Sequence, residues 1–176
     1  MIFTPLALEG ACLVDLEPQE DERGCYVRSF SAREFLDHGL SDSFLEGGFS
    51  SSARRGTIRG LHLQLAPYAQ AKLVRCSRGA IHDVIIDLRR ESRTYCQWVA
   101  VDLKASVPTM LYVPKGFAHG FQTIEDDTDV TYQMSDYYRP DAEAGVRWND
   151  PRFAITWPIA DAILSARDRS FADYRG

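Results

Sequence analysis

Alternation of apolar and polar residues runs through much of the chain and predicts β-strands. In the segment 72–78, Leu73 and Arg75 point to one face, while Val74 and Cys76 point to the other. Strand patterns bounded by turn signals recur in the segments 59–64, 81–88, 96–103, 109–113, 117–124 and 129–137. This spacing is typical of an antiparallel sandwich or barrel, and a jelly roll of about eight strands fits the length. We therefore expect a mainly β fold, a jelly-roll barrel with a few short helices.

One helix is clear from its ends. Ser31 and Glu34 form a capping box, Phe35 follows, and Gly39 is a suitable stop. The 176 residues suit one domain with a sizeable core and are too few for two ordinary domains, so we expect residues 1–176 to form a single domain. The irregular tail with its tryptophans, 147–158, is expected to pack as an arm against the barrel.

His62 lies inside one of the predicted strands, R-G-L-H-L-Q (59–64). Gly60, His62 and Gln64 share one face of that strand, opposite Leu61 and Leu63. A polar face in a barrel is either exposed to solvent or lines an internal cavity, and the motif alone favours the exposed face. The strand that begins at residue 72 follows closely, so pairing of the two strands is expected to bring Lys72 beside His62.

Two further polar residues have both a structural and a chemical interpretation. Tyr132 alternates with Val130 and Met134, which favours a core tyrosine, although a phenol held in a dry cavity can donate a proton. Asp168 follows Ser165 at the spacing of a capping box. A carboxylate there can alternatively fix the tautomer of a histidine and stabilise its cation.

Composition narrows the classes of function. The net charge of −5 argues against general nucleic-acid binding. Basic residues are mostly arginines, the side chains that hold phosphates in a bidentate fork, so a small anionic ligand remains open. No apolar run approaches the roughly 18 residues of a membrane span, and the first residues do not resemble a signal peptide. The four cysteines form no CxxC motif, and we expect reduced thiols in a cytoplasmic protein.

The histidines give little support to a metal site. His62, His82 and His119 are scattered, and no two histidines are separated by a single residue, the spacing typical of metal-binding barrels of this architecture. The turn at 21–24, D-E-R-G, is either a plain polar turn or a means of presenting Arg23 to a phosphate.

Taken in order, several segments resemble the dTDP-4-dehydrorhamnose 3,5-epimerase family of cupin-fold sugar-nucleotide enzymes. The segments are D-E-R-G (21–24), R-R-G-T-I-R-G-L-H-L-Q (54–64), A-K-L-V-R (71–75), G-A-I-H-D-V-I-I-D-L-R (79–89), Y-V-P-K-G-F-A-H-G-F (112–121), Y-Q-M-S-D-Y-Y (132–138), G-V-R-W-N-D-P (145–151) and I-T-W-P (155–158). The resemblance covers nearly the whole chain. It implies a cupin-type jelly-roll homodimer without metal or organic cofactor, acting on a nucleoside-diphosphate 4-keto-6-deoxyhexose.

The resemblance also implies a role for each candidate site residue. His62 would be the base, Asp168 its orienting partner, Lys72 the group that stabilises the enolate oxygen, and Tyr132 the acid on the opposite face of the sugar. The remaining candidates would bind substrate: Arg59 and Arg23 at the diphosphate, Arg23 from the other subunit, His119 at the sugar, and Tyr138, Tyr26, Glu46 and Gln64 in the rest of the site.

This chain departs from the family pattern where the nucleotide base would bind. Arg28 replaces a glutamate, Glu46 replaces an amide, Gly48 replaces an asparagine, and Gln133 follows the tyrosine in place of a lysine. An arginine cannot accept the ring N–H of thymine as a glutamate can. Alternatives therefore stay open: a single-carbon epimerase of a CDP- or GDP-linked sugar, or a non-catalytic sugar-nucleotide-binding cupin. A metal-dependent cupin is a further alternative, which the absence of a His-x-His motif disfavours.

Overall fold

The structure is a computed structural model that describes all residues from Met1 to Gly176. Its β-strands, in chain order, are β1 (Ile2–Pro5), β2 (Cys12–Asp15), β3 (Gln19–Asp21), β4 (Gly24–Tyr26), β5 (Glu46–Ser52), β6 (Ile58–Gln64), β7 (Lys72–Arg78), β8 (Ala80–Asp87), β9 (Trp98–Lys104), β10 (Thr109–Val113), β11 (Phe117–Thr123), β12 (Thr128–Met134) and β13 (Glu143–Gly145). Two short helices, α1 (Ala32–Asp37) and α2 (Ala166–Ser170), and a 3-10 turn at Pro140–Ala142 complete the list.

Eleven strands form two antiparallel sheets. The six-stranded sheet has the order β1-β2-β10-β7-β12-β5, and the five-stranded sheet has the order β13-β6-β11-β8-β9. The predicted mainly β jelly roll is confirmed. It contains more strands than the eight expected, because the short strands β1, β2 and β13 have too few residues to show an alternating pattern.

The main core lies between the two sheets. Val74 and Cys76 of β7 point inward and are buried, whereas Leu73 belongs to a second cluster on the outer side of the same sheet. Val130 of β12 is also in the inner core, with Tyr132 packed against it. The two-residue alternation predicted for these strands is therefore confirmed.

A third cluster covers the outer face of the five-stranded sheet. Leu61 and Leu63 pack there against Phe153 and Ile155 of the tail, and the indole of Trp98 donates a hydrogen bond to the carbonyl of Phe153 at 2.8 Å. The tail thus forms the predicted arm. Because Leu61 and Leu63 face this arm, His62 between them faces the interior of the barrel.

Both predicted helix starts are present. Ser31 Oγ accepts the backbone N–H of Glu34 at 3.5 Å before α1, which ends just ahead of Gly39, a residue with φ of 70°. Ser165 Oγ accepts the backbone N–H of Asp168 at 3.0 Å before α2. No helix in the structure has the length and apolar character that a membrane crossing needs.

The predicted pairing of the strands that carry His62 and Lys72 is wrong. β6 pairs with β11 and β13, whereas β7 pairs with β10 and β12 in the other sheet. Residues 65–71 form no strand and carry the chain from one sheet to the other. The two side chains still meet, because Lys72 approaches from the opposite wall of the barrel and its Nζ donates a hydrogen bond to the carbonyl of His62 at 3.3 Å.

Candidate active site

A cavity of about 530 Å³ opens between the two sheets. It brings together six predicted site residues: Arg59, His62, Lys72, His119, Tyr132 and Asp168. A smaller hollow of about 180 Å³ shares His62, Lys72 and Tyr132 with it and adds Gln64 and Tyr138. Most of the predicted set therefore lines one continuous cleft.

A β-bulge explains how Arg59 and His62, three residues apart, reach the same cavity. In the pairing of β6 with β11, Gly60 and Leu61 together stand opposite the single residue Gly120. The backbones approach closely here, since a Cβ added to Gly60 would lie 2.5 Å from Cα of Gly120. The extra residue reverses the alternation, so that Arg59 joins His62 at the cavity.

His62 is held by a buried carboxylate. Its Nε2 lies 2.7 Å from Oδ1 of Asp168, which is only 5% exposed and whose Oδ2 accepts the backbone N–H of Gly60 at 3.2 Å. Only the serine half of the predicted capping box forms: Ser165 Oγ accepts the backbone N–H of Asp168, while the Asp168 side chain is the partner of the histidine. The carboxylate holds the proton on Nε2, which leaves Nδ1 as the basic nitrogen.

The charge state of His62 suits a base. Burial lowers the pKa of His62 below its ordinary value of 6.5, while the hydrogen bond with Asp168 raises it in part. The imidazole is therefore neutral near pH 7, and the carboxylate stabilises the cation that forms when the ring takes a proton.

Lys72 and Tyr132 project from the sheet that faces His62. Burial lowers the pKa of Lys72 to about 8, although the negative charges of Asp83 and Glu143 raise this pKa in part. The hydroxyl of Tyr132 shares a hydrogen bond of 2.8 Å with Ser50 Oγ, and burial raises the pKa of this phenol well above its ordinary value of 10. Near pH 7 the site therefore holds an ammonium group and a protonated phenol on one wall and a neutral imidazole on the other.

Buried His119 is paired with a carboxylate as well. Its Nε2 lies 3.1 Å from Oδ2 of Asp83, a fully buried residue of β8. Sequence reasoning did not single out Asp83. The signal available was an aspartate within a strand rich in isoleucine and valine, where a buried acid requires a partner.

Two arginines, Arg59 and Arg167, line the outer part of the cavity. Arg59 is exposed at the rim, with Nε donating to Ser52 Oγ at 3.1 Å. Arg167, a lining residue that sequence reasoning missed, forms an ion pair with Glu143, which lines the smaller hollow. Arg59 forms no ion pair within the chain, so its guanidinium suits an anionic ligand at this rim.

The smaller hollow is bordered by a hydrogen-bonded loop. Tyr138 donates its hydroxyl to Glu143 at 2.6 Å and its backbone N–H to Glu46 at 2.9 Å. Gln64 Oε1 accepts the backbone N–H of Arg139 at 2.6 Å, and its amide nitrogen donates to backbone carbonyls on either side. Gln64 and Glu46 thereby hold the segment that presents Tyr138.

Arg23 and Tyr26 lie outside the cavity of their own chain. Both belong to the exposed β3–β4 hairpin, where the Arg23 side chain is 84% exposed and paired with Asp21, and Tyr26 is 65% exposed. Arg28 follows the hairpin and pairs with Glu34. Roles for Arg23 and Tyr26 at the substrate thus require a second subunit and stay predictions.

The structure also describes the cysteines and the possible metal ligands. All four cysteines are free. No three or more histidine, cysteine, aspartate or glutamate side chains are grouped so that they could hold a metal ion.

Comparisons with a family model, with curated proteins and with solved structures all identify the same family. The family model described as dTDP-4-dehydrorhamnose 3,5-epimerase matches residues 5–175. A protein of that name from Escherichia coli is 42% identical over 158 residues, 87% of this chain and 84% of its own. Another from Methanothermobacter thermautotrophicus is 38% identical, covering 98% of this chain and 94% of its own. The crystal structure of the Bacillus anthracis protein of that name, with TDP and PPi bound, has a TM-score of 0.95 and 41% identity, covering 98% and 99% of the two chains.

Proposed function

Since the chain belongs to the dTDP-4-dehydrorhamnose 3,5-epimerase family, we propose that it inverts carbon-5 and then carbon-3 of dTDP-4-dehydro-6-deoxyglucose, giving dTDP-4-dehydrorhamnose. The observation that carries the proposal is the placement of His62 on one sheet and Tyr132 and Lys72 on the facing sheet, around one cavity. An epimerase of this kind needs a base and an acid on opposite faces of the sugar, with a cation near its ketone.

The chemistry follows from the ketone at carbon-4. The ketone acidifies the hydrogens on both neighbouring carbons, so a base can remove one of them and leave an enolate. A proton then returns to the same carbon from the opposite face, which inverts that carbon. The enolate oxygen carries the developing charge and requires electrostatic stabilisation.

Each of these roles fits one side chain. His62 takes the proton while Asp168 fixes its tautomer and stabilises the resulting cation. Lys72, charged near neutral pH, stabilises the enolate oxygen. Tyr132 stays protonated in its buried setting and returns a proton from the facing sheet. His119, held by Asp83, lines the sugar pocket beside Tyr132.

The nucleotide would occupy the outer part of the cleft. Arg59 at the rim suits the diphosphate. Tyr138, supported by Glu46 and Gln64, offers an exposed aromatic face to the base. Arg28, the departure that puts thymine recognition in question, is already paired with Glu34.

We further propose a homodimer in which the β3–β4 hairpin reaches the partner's cavity. The hairpin has no neighbouring strand other than its own partner strand, and it exposes Tyr26 and Arg23. In a symmetric dimer the same contact occurs twice, so each hairpin would complete the other subunit's site. The free cysteines suit the reducing conditions of the cytoplasm, where we place the enzyme.

The test is solvent exchange in heavy water. We would incubate the protein with dTDP-4-dehydro-6-deoxyglucose and follow carbon-3 and carbon-5 by proton NMR, expecting deuterium at both positions. Exchange at one position alone would indicate a single-carbon epimerase. Exchange only with CDP- or GDP-linked sugars would show that the substrate carries cytidine or guanosine instead of thymidine. Binding without exchange for all three would indicate a non-catalytic cupin.

A further inference from the structure

The Tyr132 hydroxyl has a single hydrogen-bond partner, Ser50. Ser50 Oγ lies 2.8 Å from the phenolic oxygen, and neither oxygen has another partner within the chain. Both residues line the cavity. The partner of the proposed acid is thus a hydroxyl that can either accept or donate a proton in the hydrogen bond.

Strand register creates this contact. In the pairing of β5 with β12, Ser50 stands opposite Val130 and Gly48 stands opposite Tyr132. Ser50 is therefore the diagonal neighbour of Tyr132, within reach of a long side chain. Alternation along β5 leaves Phe49 and Ser51 exposed on the other face, so Ser50 alone of these three turns toward the cavity.

We propose that Ser50 is the positioning residue of Tyr132: it aims the phenol at the sugar and donates its own hydrogen bond to the phenolate left after proton transfer. The inference rests on the proposed function, because it assigns a residue to the same epimerisation.

Proton return from Tyr132 leaves a charged pair in the site. The enolate's electron pair forms a new C–H bond with the phenolic proton, the O–H bond of Tyr132 breaks, and its electron pair stays on oxygen as phenolate. His62 holds the proton removed earlier, so the site contains one imidazolium and one phenolate. The Ser50 O–H then rotates to donate to the phenolate, and solvent carries the proton from His62 back to Tyr132.

The surroundings of Tyr132 make this donor important. The phenol is buried among His119 and Phe121, and the negative charge of Asp83 opposes formation of the phenolate. Arg59 is the nearby cation that favours it. Without Ser50, no hydrogen-bond donor contacts the phenolate, and an unpaired buried anion is costly.

The test compares three variants. Ser50→Ala removes the donor, Ser50→Thr keeps a hydroxyl, and Ser51→Ala removes a hydroxyl from the same strand on its exposed face. We expect Ser50→Ala to lower kcat for epimerisation by about ten- to hundredfold with little change in KM, because a hydrogen bond to a charged group is lost. Ser50→Thr should recover most of the rate, and Ser51→Ala should equal the unaltered protein.

Two readouts separate positioning from a merely structural role. Exchange of deuterium into recovered substrate, which needs only His62, should fall much less than epimerisation in Ser50→Ala. In a Tyr132→Phe background, Ser50→Ala should cause no further loss. Equal loss of exchange and epimerisation, or the same loss with and without the Tyr132 hydroxyl, would overturn the proposal. Inactivity of the unaltered protein would instead overturn the proposed function itself, and this proposal with it.

Discussion

Nε2 of His62 lies 2.7 Å from Oδ1 of Asp168, although 106 residues separate the two in the chain. The contact joins a strand of the five-stranded sheet to the short C-terminal helix, where Ser165 Oγ caps the backbone N–H of the same aspartate. The last segment of the chain is therefore part of the site, and the orientation of the proposed base depends on it.

Asp168→Asn should keep the fold and lose most of the activity. Asparagine retains the backbone N–H that Ser165 Oγ caps at the start of α2, but it no longer stabilises the imidazolium or fixes the tautomer of His62. We expect turnover to fall by about 100- to 10 000-fold, measured as initial rates, with little change in the thermal unfolding midpoint. The same substitution at exposed Asp161 is the control, and an Asp168→Asn enzyme as fast as that control would remove Asp168 from the mechanism.

The rate should have a bell-shaped dependence on pH. On the acid side, kcat/KM should rise as His62 loses its proton, below the ordinary pKa of 6.5. On the alkaline side, the protonated form of Lys72 disappears as pH rises through its pKa of about 8, so kcat/KM should fall there.

Two substitutions of Lys72 test whether this residue causes the fall of kcat/KM at alkaline pH. Lys72→Arg keeps a positive charge at every accessible pH, so its residual activity should show no fall between pH 8 and 9. Lys72→Met removes the charge and should lower kcat/KM by roughly 100- to 1000-fold. Persistence of the same alkaline limb in Lys72→Arg would assign that limb to another group.

The bulge in β6 should tolerate no side chain at Gly120. A Cβ there would lie 2.7 Å from the carbonyl oxygen of Arg59 and 2.9 Å from Cα of Gly60. We expect Gly120→Ala to lower the free energy of unfolding by about 2 kcal/mol or more and to reduce activity, because Arg59 and His62 lose their shared alignment. Gly47→Ala is the matched control, since its Cβ meets only a carbonyl oxygen at 3.7 Å. Equal stability of the two variants in urea titrations would argue against a constrained bulge.

Mixed dimers test the proposed contribution of the hairpin. Arg23→Ala protomers keep His62 but lack the proposed diphosphate contact, and His62→Ala protomers have the reverse defect. If Arg23 acts in the partner's site, refolding the two together should create sites that hold both residues, and activity at low substrate should exceed that of either variant alone. Mixing Arg33→Ala with His62→Ala should show no such gain over Arg33→Ala. Absence of complementation for Arg23 would confine its role to its own chain.

Local patterns predicted the parts of the fold that depend on neighbours in sequence. The alternation around Val74 and the serine caps before α1 and α2 are such features, since their partners lie within a few residues. The pairing of strands was harder to predict from the sequence. The close succession of His62 and Lys72 suggested adjacent strands, yet the intervening residues carry the chain to the opposite sheet, and no local pattern distinguishes a hairpin from such a crossing.

Partners that are distant in sequence were the least predictable part of the site. Ser50, Asp83 and Arg167 take part through contacts with residues far along the chain, and nothing in their immediate sequence marks them. For Asp168 the local pattern favoured a helix cap, and only the family resemblance indicated the contact with His62. The bulge at Gly60 likewise depends on close approach to another strand, which the strand's own sequence does not reveal.

The central claim is that His62 and Tyr132 act from opposite faces of one sugar. Tyr132→Phe tests it most directly, when deuterium exchange at carbon-5 and formation of epimerised product are measured together in heavy water. We predict that exchange continues, because His62 still removes and returns protons on its own face, while epimerised product forms at least about 100-fold more slowly. Equal rates of exchange and epimerisation in Tyr132→Phe would contradict the assignment of the acid and with it the two-face mechanism.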